Sequence, residues 1–259
     1  VPVTGPVSVT GFNYDVIAES KPCAKSTNGY LDMQGWVFYT TSVQEGGAIA
    51  GDNHIVKTAS GKEFKLADYA QNNALVLNES GVSHDLVFDN PEKCSELYFL
   101  MTSTGGQSDV EVTANYDDGT TSGTSVFSPD NWYSYYPSGD EAVYGISRIP
   151  TITIPGFFTE DVPDNNYKFR LYEYTLPTDR NKKVKSVSFK TDSYSWPTIL
   201  AISKTGYNVA TDISTTVNNV FEKEIQGIYT INGIKLNAPQ KGINIIRYTD
   251  GTAKKVIIR

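Results

Sequence analysis

Apolar and polar residues alternate along much of this chain. Val110-Glu111-Val112-Thr113-Ala114-Asn115-Tyr116 is the clearest case, the pattern of a strand with one face buried and the other wet. Tyr167-Lys168-Phe169-Arg170-Leu171-Tyr172-Glu173-Tyr174 and Val184-Lys185-Ser186-Val187-Ser188-Phe189-Lys190 repeat it. Leu97-Tyr98-Phe99-Leu100-Met101 is instead a continuous apolar run that stops before Thr104-Gly105-Gly106. A run this short predicts a strand buried on both faces. Ala74-Leu75-Val76-Leu77, Asp85-Leu86-Val87-Phe88 and Thr198-Ile199-Leu200-Ala201-Ile202 predict further strands. Turn residues end them: Asn78-Glu79-Ser80-Gly81, Asp89-Asn90-Pro91, and the hairpin signal Asp118-Gly119. No amphipathic helix of ordinary length is written in the pattern. Leu66-Ala67-Asp68-Tyr69 is expected to form a single helical turn.

Many short strands with frequent turns predict an all-β fold, specifically a jelly-roll-type antiparallel β-sandwich. Residues 1–205 form that sandwich, with long loops at Gly46–Gly61 and Ser128–Gly156. Residues 206–226 are polar with isolated apolar positions and read as a linker. Residues 227–259 read as a small all-β module. The charge changes sign there: from Glu222 onward the chain carries +4, against −11 over the first 221 residues. That asymmetry supports a separate module.

Composition narrows the function. Aromatics reach 12%, and Tyr, Thr, Val and Ser recur where a helical protein carries Ala, Leu, Glu and Lys. Two His cannot supply the three of a usual catalytic zinc site. A net charge of −7 argues against nucleic acid as a partner. No apolar run is long enough for a membrane span. The opening Val1-Pro2-Val3-Thr4-Gly5 reads as a mature or trimmed start from which a signal was removed. Cys23 and Cys94 are compatible with one disulfide or with two buried thiols. Serine-hydrolase elbows, phosphate loops and dinucleotide fingerprints are absent from the sequence. His54 and His84 sit in polar, loop-like contexts.

The tail carries an ordered set of features. Ile228-Tyr229-Thr230-Ile231-Asn232-Gly233 comes first, then Lys241-Gly242-Ile243-Asn244-Ile245-Ile246, then Asp250-Gly251-Thr252-Ala253-Lys254-Lys255-Val256-Ile257-Ile258-Arg259. Asn232-Gly233 and Asp250-Gly251 are expected to supply the positive-φ pairs of type I′ turns. In this order the segment resembles the C-terminal sorting module of the type IX (Por) secretion pathway. The resemblance covers only these last residues. It implies an extracytoplasmic protein, secreted or attached to the cell surface. The alternative is a plain β-meander completing the fold.

A looser resemblance covers residues 7–205. Gly11-Phe12-Asn13-Tyr14-Asp15, Tyr69-Ala70-Gln71-Asn72-Asn73, Tyr116-Asp117-Asp118-Gly119-Thr120 and Asp130-Asn131-Trp132-Tyr133 are similar to framework motifs of galactose-binding-like jelly-roll modules in secreted polysaccharide-processing proteins. That implies a fold more than a ligand.

Candidate chemistry concentrates in the Ser128–Gly145 loop, which holds Trp132, Tyr133, Tyr135, Tyr136 and Tyr144. Sugar rings stack on flat aromatic faces, and acids or amides take their hydroxyls. The expected carbohydrate-binding set is Tyr133, Tyr135, Tyr136 and Asp130, with Trp196 in a loop before Pro197. Trp132 and Trp36 are expected in the core. A structural calcium has oxygen donors available in Asp15, Glu19, Asp117, Asp118, Asp161 and Asp164. Asp117-Asp118-Gly119 is also read as a simple turn, and Asp161–Asn166 as a solvated loop. The leading expectation is a non-catalytic carbohydrate-binding protein. The alternatives are a structural or adhesive surface protein that binds another protein, and a polysaccharide hydrolase.

Overall fold

A computed structural model describes residues 2–207, 225–249 and 252–258. Their regular structure is strand throughout, apart from one 3₁₀ turn at Cys23–Lys25 among the described residues. In chain order the strands are β1 (Pro2–Val7), β2 (Val9–Thr10), β3 (Ile17–Ala18), β4 (Trp36–Tyr39), β5 (Ile55–Lys57), β6 (Glu63–Lys65) and β7 (Leu75–Val76). Next come β8 (Ser83–Lys93), β9 (Glu96–Thr104), β10 (Val110–Tyr116), β11 (Thr121–Phe127), β12 (Val143–Ile146), β13 (Ile149–Pro150) and β14 (Phe169–Pro177). The last are β15 (Lys183–Lys190), β16 (Trp196–Tyr207), β17 (Ile225–Thr230), β18 (Lys235–Leu236), β19 (Gly242–Tyr248) and β20 (Ala253–Ile258). The chain divides into two compact units, Val1–Tyr207 and Asn208–Arg259. Most of the expected linker over 206–226 lies outside the described residues.

The first unit is a β-sandwich. One sheet runs β1-β16-β9-β14-β12, with β7 also on β16; the facing sheet runs β11-β10-β15-β8-β2. The apolar run of β9 shows why the layers stack. Leu97, Phe99 and Met101 join Leu86, Val112, Ala114 and Phe189 of the facing sheet in one core. Tyr98 and Leu100 point the other way into a second core with Ile17, Val37, Phe38 and Ile149. A fully buried Leu or Phe contributes about 1.5–3 kcal/mol, so these cores outweigh any exposed ion pair at about 0–1 kcal/mol. The two layers expected from sequence are therefore joined by a third. The small sheets β13-β4-β3 and β5-β6 cover the outer face of the middle sheet.

Strand β16 serves both cores through a bulge. Its register steps between Ile199↔Met101 and Ala201↔Leu100, leaving Leu200 unpaired. Leu200 and Ala201 both join the outer core, while Ile199 and Ile202 join the inner one. The opening strand β1 lies antiparallel along the far end of β16, from Pro2↔Tyr207 to Val7↔Ile202.

Several sequence expectations are corrected. Trp196 begins β16 instead of lying in a loop. Strand β8 does not stop at Asp89-Asn90-Pro91 but continues to Lys93. Its register against β15 jumps between Val87↔Ser186 and Glu92↔Val184, so Pro91 sits in a bulge where no ladder donor is needed. Leu66–Tyr69 is not a helical turn. Leu66 donates its N–H to His54 O, Tyr69 Oη to Gly51 O, and Asp68 accepts from Ala70 N, which holds the segment extended into a tight turn.

Cys23 and Cys94 are both free and buried. Cys23 belongs to the outer core and Cys94 to the inner one, on opposite faces of the middle sheet, so they cannot bridge. Burial pushes the Cys23 thiol up to about 12, and Asp161 beside it acts in the same sense. A thiol reagent is expected to label neither cysteine in the native protein and both in denaturant. Fast native labelling of either one contradicts this packing.

In the second unit the described strands form a sheet in the order β18-β17-β19-β20, all pairs antiparallel. Asn232-Gly233 does close a hairpin, but only the glycine has positive φ, +83°. Thr230 N donates to Ile234 O at 2.8 Å across a three-residue loop. This is a glycine-bulge turn, not the expected type I′ turn, and it spares Asn232 the left-handed region. Asp118-Gly119 makes the same turn, with Gly119 at φ +84°. Asp250-Gly251 lies outside the described residues.

Candidate functional site

The site begins with a turn ahead of β4. Asp32 accepts hydrogen bonds from the backbone N–H of Gln34 (2.9 Å) and Trp36 (3.2 Å), the Asx geometry that folds a chain back on itself. Gly35 has φ +82°. A side chain there would strike Ile152 at 3.0 Å, so glycine lets the 150s segment close onto β4. Thr151 then donates both its N–H and its hydroxyl to Gly35 O. Strand β13 pairs Ile149↔Val37 and Pro150↔Trp36.

That pairing places Arg148, just before β13, over Trp36. The guanidinium carbon lies 3.8 Å from the Trp36 ring centroid, 4.8 Å from Phe169 and 5.4 Å from Trp132. Asp164 donates its N–H to Arg148 O at 2.9 Å and returns its carboxylate to Arg148 Nε at 3.2 Å. On the other side Asp32 Oδ2 lies 3.8 Å from Nη1. Burial pulls the guanidinium below its usual range while Asp164 and Asp32 oppose it. Burial likewise pushes the Asp32 carboxyl up, against the N–H bonds of Gln34 and Trp36 and the Arg148 charge. Stacking and two carboxylates thus fix one cation in one orientation.

Two open clefts meet at this arginine. The larger, about 700 Å³, is walled by Trp36, Phe157, Phe158, Thr159 and Asp164. The smaller, about 440 Å³, is walled by Asp32, Met33, Asn131, Tyr133 and Asn166. Gln34 and Arg148 line both. Phe158 tilts against Trp36 at 4.6 Å, while Phe157 at the tip of the Ile154–Phe158 turn is 85% exposed. Trp36 Nε1 and Asn131 Oδ1 are buried without a hydrogen-bond partner among the described residues.

The residues singled out from sequence scatter around this point. Tyr133 lines the smaller cleft and packs on Phe169 at 5.4 Å. Tyr135 and Tyr136 are exposed, edge-to-face with each other at 4.8 Å, with Lys168 Nζ 3.3 Å above the Tyr135 ring; neither lines a cleft. Asp130 turns away and pairs with Arg170 at 2.9 Å. Trp196 is packed against the outer core. Trp132 and Trp36 are buried, as expected. Four of the six suggested calcium donors have other occupations. Asp164 holds Arg148, Asp161 accepts from Cys23 N at 2.7 Å, Asp118 holds Lys182, and Asp15 holds Asn73. No group of three or more candidate metal ligands occurs among the described residues.

Sequence reasoning passed over Arg148. One signal was available: it is the only basic residue between Lys93 and Lys168, in a segment otherwise rich in aromatics. Trp36 and Phe157 were separable only once the fold brought β4 beneath the 150s loop.

No protein-family model matches the chain, and no curated protein does. Among solved structures it is similar to the Agl-KA catalytic domain, at 13% identity and a TM-score of 0.31, over 52% of this chain and 22% of that one. It is similar to a mutant of a family 29 carbohydrate-binding module, at 13% identity and TM-score 0.30, over 65% of this chain and 95% of the other. It is also similar to a cleaved adhesin domain of Lys-gingipain, at 11% identity and TM-score 0.30, over 67% of this chain and 84% of that one.

Proposed function

We propose that the first unit binds carbohydrate without converting it, in the furrow centred on Arg148. One observation carries the reading. A guanidinium clamped on Trp36 between Asp32 and Asp164 stands where two aromatic-rimmed clefts meet. Sugars need flat apolar faces and fixed polar groups of both kinds. Phe157 and Tyr133 supply the faces. The carboxylates accept from hydroxyls, and Arg148 and Gln34 donate. Exposed Tyr135 and Tyr136 follow Tyr133 in the chain and offer further apolar faces outside the two clefts. Asp32 and Asp164 both serve to hold one cation, which gives them a positioning role. This reading puts the protein outside the cytoplasm, with the segment over 227–259 acting as an export or attachment module.

Phe157 is the cleanest probe, because at 85% exposure its removal leaves the core intact. Phe157→Ala is expected to weaken glycan binding about fivefold, the worth of one stacked ring. Tyr194→Ala, 93% exposed and outside the clefts, leaves binding unchanged. Affinity electrophoresis against a polysaccharide panel reads both. Equal effects of the two variants contradict the assignment of the site, and release of new reducing ends by the wild type contradicts its non-catalytic part.

A further inference from the structure

Arg148, Asp32 and Asp164 are the only charged residues lining the two clefts among the described residues. One cation and two anions leave the furrow negative. The cation is also engaged on three sides: Asp164 takes Nε, Asp32 faces Nη1, and the ring of Trp36 covers a face. A free arginine would chelate a carboxylate or sulfate through its fork of donors. This one meets an incoming anion with two carboxylates already beside it. The remaining polar walls, Gln34, Asn131, Asn166 and Thr159, are neutral hydrogen-bonding groups. The clefts share Arg148 and Gln34 as walls, which sets them side by side.

We infer that the furrow takes an uncharged glycan chain lying across Arg148 and rejects glycans that bear carboxylate or sulfate groups. The inference rests on the carbohydrate reading and adds the ligand's charge and its extended form. Hydroxyl pairs of a neutral chain satisfy Asp32 and Asp164 without disturbing their hold on Arg148. A uronate brings a like charge within a few ångströms of both. Like charges at such distances in a partly desolvated site cost about tenfold or more in affinity.

The test uses the whole chain and matched polymers. Neutral galactan, mannan, xylan and glucan are run in native affinity gels beside the same polymers after oxidation of primary hydroxyls to carboxylates, with pectate in place of oxidised xylan. The expected result is retention on at least one neutral polymer and about tenfold weaker retention on its acidic counterpart. Raising ionic strength from about 0.01 M to about 1 M shrinks the Debye length from about 30 to about 3 Å and narrows the gap. An Asp32→Asn/Asp164→Asn variant keeps the Oδ1 acceptors of the turn but frees Arg148, and it narrows or reverses the preference. Equal or stronger binding of acidic polymers by the wild type overturns the inference alone. So does a gap that survives both high salt and the double variant, because lost hydroxyl contacts then explain it. No retention on any neutral or acidic polymer overturns the carbohydrate reading, and the inference falls with it.

Discussion

Replacing Arg170 by methionine is expected to lower the stability of the sandwich by about 3–5 kcal/mol, the loss typical of breaking a buried pair from one side. The arginine side chain is 6% exposed and that of Glu141 only 2%. Each of its nitrogens has its own acceptor: Nη1 reaches Glu141 at 3.1 Å, Nη2 reaches Asp130 at 2.9 Å, and Nε reaches Asn131 O at 2.9 Å. Burial works against the Glu141 carboxylate. The N–H and hydroxyl of Ser138 and the N–H of Gly139 nevertheless hold it down to about 2, so it stays charged when its partner is removed. Lysine does not rescue the site, because one ammonium cannot span three acceptors in a plane. Lys182→Ala breaks the exposed pair with Asp118 and costs less than about 1 kcal/mol. Urea unfolding of the three variants reads the difference. A loss at Arg170→Met no larger than at Lys182→Ala contradicts the network. The same arginine fixes Asp130 and Asn131 just before Tyr133, so its loss also loosens one wall of the smaller cleft.

The second large effect is a pH dependence. Asp15 is 7% exposed, and burial raises its carboxyl from 3.8 to about 7 against the bond from Asn73 Nδ2 at 2.6 Å. The folded protein therefore binds this proton more tightly than the unfolded chain does. Its contribution is complete below about pH 4 and is lost as pH rises towards 7, by up to about 4 kcal/mol. Asp15→Asn keeps an acceptor for Asn73 and has nothing to titrate. The stability difference between pH 4 and pH 8 should shrink by a few kcal/mol in the variant, whatever constant offset the amide adds. Parallel pH profiles of the two proteins contradict this assignment. Around this carboxyl the first loop is tied to the 70s segment: Asp15 N donates to Asn28 Oδ1 and Val16 N to Asn73 Oδ1.

The strands were legible where one residue's environment dictates its type. Val110–Tyr116 alternates because one face meets the inner core, and Leu97–Met101 does not because both faces are buried. The third layer was not legible. Its strands are two to four residues long, and residues such as Ile17-Ala18 or Ile149-Pro150 carry no period of their own. The site was half legible for the same reason. A cluster of tyrosines is visible as composition, and Tyr133 does reach a cleft. Asp130 looked like a free acid because its partner Arg170 lies 40 positions away. Arg148 gains its meaning only from Asp32, Trp36 and Asp164, which the fold collects from two segments.

The zip between β1 and β16 has a consequence for how the polypeptide is made. The first strand waits for a partner some two hundred residues downstream, so a chain emerging from a ribosome, or threaded N-terminus first through a narrow pore, cannot close the sandwich early. Such distant pairing folds slowly and keeps hydrophobic surface open meanwhile. The same neighbourliness of first and last strands suits the unit to circular permutation, with a short tether joining the old ends and new termini opened at the exposed tip around Tyr194.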